Sequence, residues 1–79
     1  MAKSKRIDRE ICRYSWRVEL SFEDGMWAAY HGWRKNDRND DAFTGWISDL
    51  DELLTDLCCL LPFRVYKAVE RVAYEMEAT

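Results

Sequence analysis

Ten consecutive residues, Tyr14 to Glu23, alternate between apolar and polar side chains without interruption. Tyr14, Trp16, Val18, Leu20 and Phe22 fall on one side; Ser15, Arg17, Glu19, Ser21 and Glu23 fall on the other. A period of two is the signature of a strand with one buried face, because successive side chains of an extended chain point to opposite sides. Asp24-Gly25 follows directly, a pair suited to the two-residue type I′ turn of a β-hairpin. That turn fixes the register of the next strand, so that Phe22 opposes Trp27, Leu20 opposes Ala29, Val18 opposes His31 and Trp16 opposes Trp33. The apolar face then continues as Trp27, Ala29, His31 and Trp33. Met26, Ala28 and Tyr30 share the outer face with Glu23, Ser21 and Glu19.

The rest of the chain is read outward from this hairpin. Residues 1–12 are expected to form a basic N-terminal arm or a short helical turn. Asn36 to Asp41 is polar and turn-prone, and is expected to be an exposed loop. Ala42 to Ile47 reads as a short third strand, completing a β-meander over 14–47. Asp49, with Glu52 three residues later, has the spacing of a helix N-cap. Leu50, Leu53, Leu54, Leu57, Leu60 and Leu61 form the apolar stripe of a helix over 50–61, with Cys58 at its edge. Pro62 separates this from a second helix over 63–77, which buries Val65, Tyr66, Val69, Val72, Ala73 and Met76. The predicted fold class is α+β: one domain over residues 1–79, a three-stranded antiparallel meander followed by two helices packed on one face.

Several function classes recede on composition. The cysteines Cys12, Cys58 and Cys59 are odd in number, and two are adjacent. With a polar start, this suggests a reduced, cytosolic chain. No apolar run approaches the roughly 18–20 residues that span a bilayer, so no membrane partner is expected. The single histidine, His31, and the lack of a Cys-x-x-Cys pair argue against a metal site. His31 falls on the core face and reads as a packed core residue. The three glycines form no phosphate-binding loop. Seventy-nine residues leave little room for a substrate pocket. Cys58 reads as a small buried apolar residue. The chain is therefore expected to bind a protein partner, with no catalytic residues, cofactor or small-molecule substrate.

Charge distribution suggests where. The net charge is −3, yet residues 1–17 carry six basic and two acidic side chains, and residues 18–56 carry three basic and ten acidic ones. In a meander, the Asp24 turn and the start of the first helix share one end of the sheet. Glu23, Asp24, Asp49, Asp51 and Glu52 should converge there, with Asp56 one turn further on. Asp37, Asp40 and Asp41 form a second acidic cluster in the loop. Such carboxylates suit a basic groove on a partner, since charge complementarity raises association rate and specificity. Met26 and Tyr30, on the outer sheet face, are the candidate apolar anchors. Direct nucleic-acid binding is the rival, through Lys3, Lys5, Arg6, Arg9, Arg13 and an exposed Arg17. Self-association through an unpaired sheet edge is a further expectation.

The hairpin over Tyr14–Glu23 and Met26–Lys35, the segment Ala42–Ile47 and the helices from Asp49 to Glu77 make a compact acidic format. It resembles the small phage-encoded anti-CRISPR proteins. The resemblance implies a stoichiometric blocker in the cytoplasm of a bacterial host. It would dock on a nucleic-acid-binding CRISPR effector subunit, of a type I complex, and keep target DNA away by DNA mimicry. The same acidic format also suits an antitoxin or a small regulatory subunit that neutralises a partner protein.

Overall fold

The computed structural model describes residues 6–78. Lys3 and Lys5 of the expected basic arm lie outside the described residues. Strands β1 (Arg6–Arg13), β2 (Trp16–Glu23) and β3 (Met26–Trp33) are followed by a 3-10 turn at Arg38–Asp40 and a short β4 (Ala42–Phe43). Helices α1 (Leu50–Leu60) and α2 (Phe63–Glu77) complete the chain. The strands form one antiparallel sheet in the order β1-β2-β3-β4. The α+β meander with both helices on one face is as predicted, with one strand more.

The additional strand is β1, which corrects the expected arm or helical turn. It pairs with β2 along its whole length, from Arg6 opposite Glu23 to Arg13 opposite Trp16. The link between them is Tyr14-Ser15, both left-handed at φ 51° and 71°. Asp24-Gly25 repeats the geometry at φ 54° and 78°, and the β2–β3 register has all four predicted pairs. Both turns have the primed form, whose twist matches that of the strands. Tyr14 therefore belongs to a turn and not to the strand it seemed to begin.

β4 is shorter than the predicted third strand because it is interrupted. Phe43 opposes Tyr30, and pairing resumes where Trp27 and Ile47 exchange two hydrogen bonds of 2.7 Å. Thr44, Gly45 and Trp46 thus occupy the space that Ala28 and Ala29 span on β3. This is a β-bulge with Gly45 at φ 86°. The extra residue keeps Ile47 on the helix side beside Trp27, and leaves Trp46 on the outer face against Phe43.

Beneath the sheet, Ile11, Val18, Leu20, Trp27 and Ala29 pack against Leu50, Leu53, Leu54, Leu57 and Leu61, and against Val65, Val69, Ala73 and Met76. Burial of each large aliphatic side chain contributes about 1.5–3 kcal/mol, which is what fixes the helices to this face. Asp49 caps α1 as predicted, although its carboxylate accepts from the Asp51 N–H at 3.0 Å and not from the residue three positions on. Leu60 departs from the predicted stripe and is exposed, while Leu57 and Leu61 on either side of it are buried.

Two backbone positions give a test of opposite sign. Ser15→Gly relieves a left-handed non-glycine residue, and should raise the thermal midpoint by about 4 °C. Gly45→Ala meets no atom within 4 Å, so its cost is backbone strain alone, and the midpoint should fall by about 4–8 °C. Melts followed by circular dichroism check both; two unchanged midpoints would contradict the assigned turn and bulge.

Candidate functional site

β3 runs away from the Asp24-Gly25 turn and the chain returns to it at Ile47, which pairs with Trp27. α1 therefore starts at that end of the sheet, and Glu23, Asp24, Asp49, Asp51 and Glu52 come to the same end, as the topology implied. Glu77 joins them, since α2 ends at a hollow lined by Ile7, Phe22, Trp27, Met76 and Glu77. Its place was not foreseen because it depends on the antiparallel return of α2. Arg6 is the cation at this end among the described residues. It is held by Asp8 at 3.1 Å, reaches Glu23 at 3.9 Å, and lies 5.6 Å from the ring centre of Trp46. Asp56 is not part of this group; it faces the hollow beside His31, farther along α1.

In the second acidic cluster Asp37 and Asp40 are exposed as expected, but Asp41 is not. The loop after β3 folds back over the outer face of the sheet, and Asp41 receives two hydrogen bonds from Arg17, Nη2 to Oδ1 at 2.8 Å and Nε to Oδ2 at 3.1 Å. Arg17 also donates to the Asn36 carbonyl at 3.3 Å. The two side chains are only 10% and 6% exposed, so Arg17 does not project into solvent and Asp41 presents no free charge. Gly32 makes the approach feasible: a Cβ there would lie 2.2 Å from Asp41 Oδ1. Asp37 caps the 3-10 turn by accepting from the Asn39 N–H at 3.0 Å. Asp40 is exposed. Arg38 bridges to Glu10 and approaches Glu19 at 3.9 Å, and this guanidinium holds the Glu10 carboxyl below its usual range. Ser21, buried opposite Ala28, donates to Asp8 at 2.5 Å.

Of the two expected anchors, Tyr30 is exposed and Met26 is half-buried. Tyr30 does not stand alone. Its ring lies 4.5 Å from Phe43, which meets Trp46 edge-on at 6.4 Å. Phe43 and Trp46 were missed because their place on the outer face depends on the bulge at Gly45.

His31 opposes Val18 on the helix side, yet it is not a core residue. It is half-buried and lines a hollow of about 410 Å³ with Ala42, Thr44, Asp56, Cys59 and Leu60. Burial pushes its imidazole below the ordinary value of 6.5, against an opposing pull from Asp41. Cys58 and Cys59 are both exposed, which corrects the buried role expected for Cys58: the stripe that is buried runs through Leu54 and Leu57 instead. No group of three or more His, Cys, Asp or Glu side chains among the described residues is arranged to hold a metal, and no described helix is long and apolar enough to cross a membrane. No family model matches the chain, and neither a curated protein nor a solved structure does.

Two consequences are measurable. Gly32→Ala forces Asp41 away from Arg17 and should lower the thermal midpoint by more than about 5 °C, whereas Asp40→Ala should leave it unchanged; the reverse order would contradict the buried pair. His31 titrates lower folded than unfolded, so the unfolded chain takes up its proton first. Stability should fall as pH drops from about 6.5 through the depressed folded value. His31→Gln should flatten that part of the curve in denaturant titrations at successive pH values, and an unchanged slope would assign it to other groups.

Proposed function

We propose that this chain is a binding inhibitor, not an enzyme, and that it presents its acidic end to a basic surface of a protein partner. One observation carries the reading. Glu23, Asp24, Asp49, Asp51, Glu52 and Glu77 share one end of the molecule, and among the described residues only Arg6, already held by Asp8 and Glu23, offsets them there. N-capping uses Asp49 alone; Asp51 and Glu52 add to the stability of the first turn of α1 by only about 0.3–1 kcal/mol each, and Glu23, Asp24 and Glu77 lie at no helix N-terminus. A rigid end rich in carboxylates suits a groove built for phosphates.

The partner class that fits is the nucleic-acid-binding subunit of a type I CRISPR effector. The chain would then act as an anti-CRISPR of phage origin, blocking target DNA in the bacterial cytoplasm. Asp24, Asp51 and Glu52 make the primary contact. Tyr30, extended by Phe43 and Trp46, supplies the apolar rim, and Met26 lies between the two. Neutralisation of some other partner, as by an antitoxin, uses the same surface. The open edge of β1 is where a second copy would pair, but Arg6, Asp8, Arg9, Glu10 and Arg13 along it work against flat edge-to-edge association.

A panel of purified type I effector complexes, assayed for target-DNA binding with equimolar chain, tests the reading. The wild-type chain should abolish DNA binding by at least one complex. The variant Asp24→Asn/Asp51→Lys/Glu52→Lys spares the cap at Asp49, and should need at least tenfold more protein for the same block. Undiminished inhibition by the folded variant would retire the acidic end as the contact. Absence of any block, with nuclease-resistant recovery of an unrelated small protein from lysate, would move the assignment to the antitoxin class.

A further inference from the structure

The cations of the described residues divide into two groups. Arg6, Arg17, Arg38 and Lys67 are each ion-paired with a carboxylate. Arg9, Arg13, Arg34, Lys35, Arg64 and Arg71 form no such pair among the described residues, and four of these gather at the end opposite the acidic one. Arg13 immediately precedes the Tyr14-Ser15 turn. The Arg34 N–H donates to the Ser15 carbonyl at 2.8 Å, tying the end of β3 to that turn, and Lys35 follows in the turn closed by Asn36 N–H to Trp33 carbonyl at 3.0 Å. Arg64, at the start of α2, places its guanidinium carbon 5.9 Å from the ring centre of Tyr14.

Large rings stand uncovered among these cations. Tyr14 is 61%, Trp33 50% and Phe63 70% exposed. Two of them have ring contacts: Trp33 rests on Trp16 with ring centres 4.7 Å apart, and Tyr14, in its two-residue turn, lies beneath the Arg64 guanidinium. Phe63 projects from the first turn of α2. Of the acids in the loop beside this end, Asp41 is bound by Arg17 and Asp37 caps the 3-10 turn, while Asp40 is exposed; Glu75 faces the hollow between β1 and α2 with Arg13 and Arg71.

We infer that this end binds single-stranded nucleic acid, with bases stacking on Trp33, Tyr14 and Phe63 and backbone phosphates met by Arg13, Arg34, Lys35 and Arg64. Fixed aromatic platforms interleaved with unpaired cations are the two components that sequence-independent single-strand binding uses. A duplex offers phosphates but hides the base faces. An acidic peptide satisfies the guanidinium groups but leaves three rings facing water. The surface differs from the one anticipated from sequence, since Arg17 is buried and Arg34, Lys35 and Arg64 take its place. It shares no residue with the acidic end, so either assignment can fail without the other.

The test is fluorescence anisotropy of the full chain with a labelled oligothymidylate of about 15 nucleotides, with tryptophan emission recorded in parallel. Binding should weaken with salt and quench tryptophan emission. Trp33→Ala should weaken it about tenfold, while Trp33→Phe, which keeps a ring, should retain most of it. Arg34→Glu/Lys35→Glu, at exposed positions with no packing role, should reduce the salt slope by about two. Lys3→Ala/Lys5→Ala and Asp51→Lys/Glu52→Lys should leave the ring dependence intact. Any of four results overturns the inference: no binding by the folded chain at low salt, equal affinity in Trp33→Ala, equal competition by polyglutamate or by duplex, or complete loss in the Lys3→Ala/Lys5→Ala variant.

Discussion

The central constraint is β2, which is paired along both edges and covered on both faces. On the helix side Val18 and Leu20 are fully buried. On the other side Arg17 and Ser21 are nearly so: the loop after β3 lies over Arg17, and Ser21 is bonded to Asp8 of β1. A charge can occupy such a site only with a partner that matches it in geometry, and the two-pronged contact from Asp41 provides that match. Removing one member would leave the other charged and buried. The pair therefore fixes the path of residues 34–41, and with it where β4 joins the sheet. From there the bulge at Gly45 decides which aromatics face outward, and Ile47 decides at which end α1 begins.

Much of this was legible in the sequence, for a physical reason. The β2–β3 register was set by local information alone: an unbroken alternation and an Asp-Gly turn. The helices were legible because leucine and valine recur at spacings of three and four and Asp49 and Pro62 mark their starts. β1 was not legible. Its helix-side positions read Ile7, Arg9, Ile11 and Arg13, half of them charged, and it is joined to β2 through Tyr14-Ser15, a turn without glycine or asparagine. A strand at the edge of a sheet can keep arginines on its buried side because their heads reach past the helix to water. Nor was the fate of Arg17 and Asp41 legible. Their pairing spans 24 residues, and no local pattern distinguishes a carboxylate that folds back onto a sheet from one that stays in solvent.

The candidate surface was half legible in the same sense. Glu23, Asp24, Asp49, Asp51 and Glu52 share an end because strand direction and connection length place them there, and both are read from sequence. Asp41 was assigned to an acidic loop by composition, and tertiary placement moved it onto Arg17; Asp56, expected one turn along α1 from the acidic end, faces the hollow beside His31. The exposed rings at the opposite end follow from packing geometry. Trp16 and Trp33 belong to the alternating apolar face; Trp16 packs against the core, and Trp33 rests on it at the far end, half exposed to solvent.

That geometry separates the two charged ends by the length of the eight-residue strands β2 and β3, about 26 Å. At physiological ionic strength the screening length is about 8 Å, so neither end influences a ligand at the other through its field. The arrangement is therefore not one dipole but two independent surfaces on a rigid body. Salt weakens contacts at both, since each would gain from opposite charge, and ionic strength alone does not distinguish them. What distinguishes them is the apolar component. The acidic end carries its rings to one side, on the outer sheet face, where they suit the rim of a protein interface. The basic end carries its rings among the cations themselves, where a ligand must offer charge and flat faces at the same spacing. A protein groove asks for the first arrangement and an unpaired strand of bases for the second, so the placement of the aromatics, more than the sign of the charge, separates the two kinds of partner.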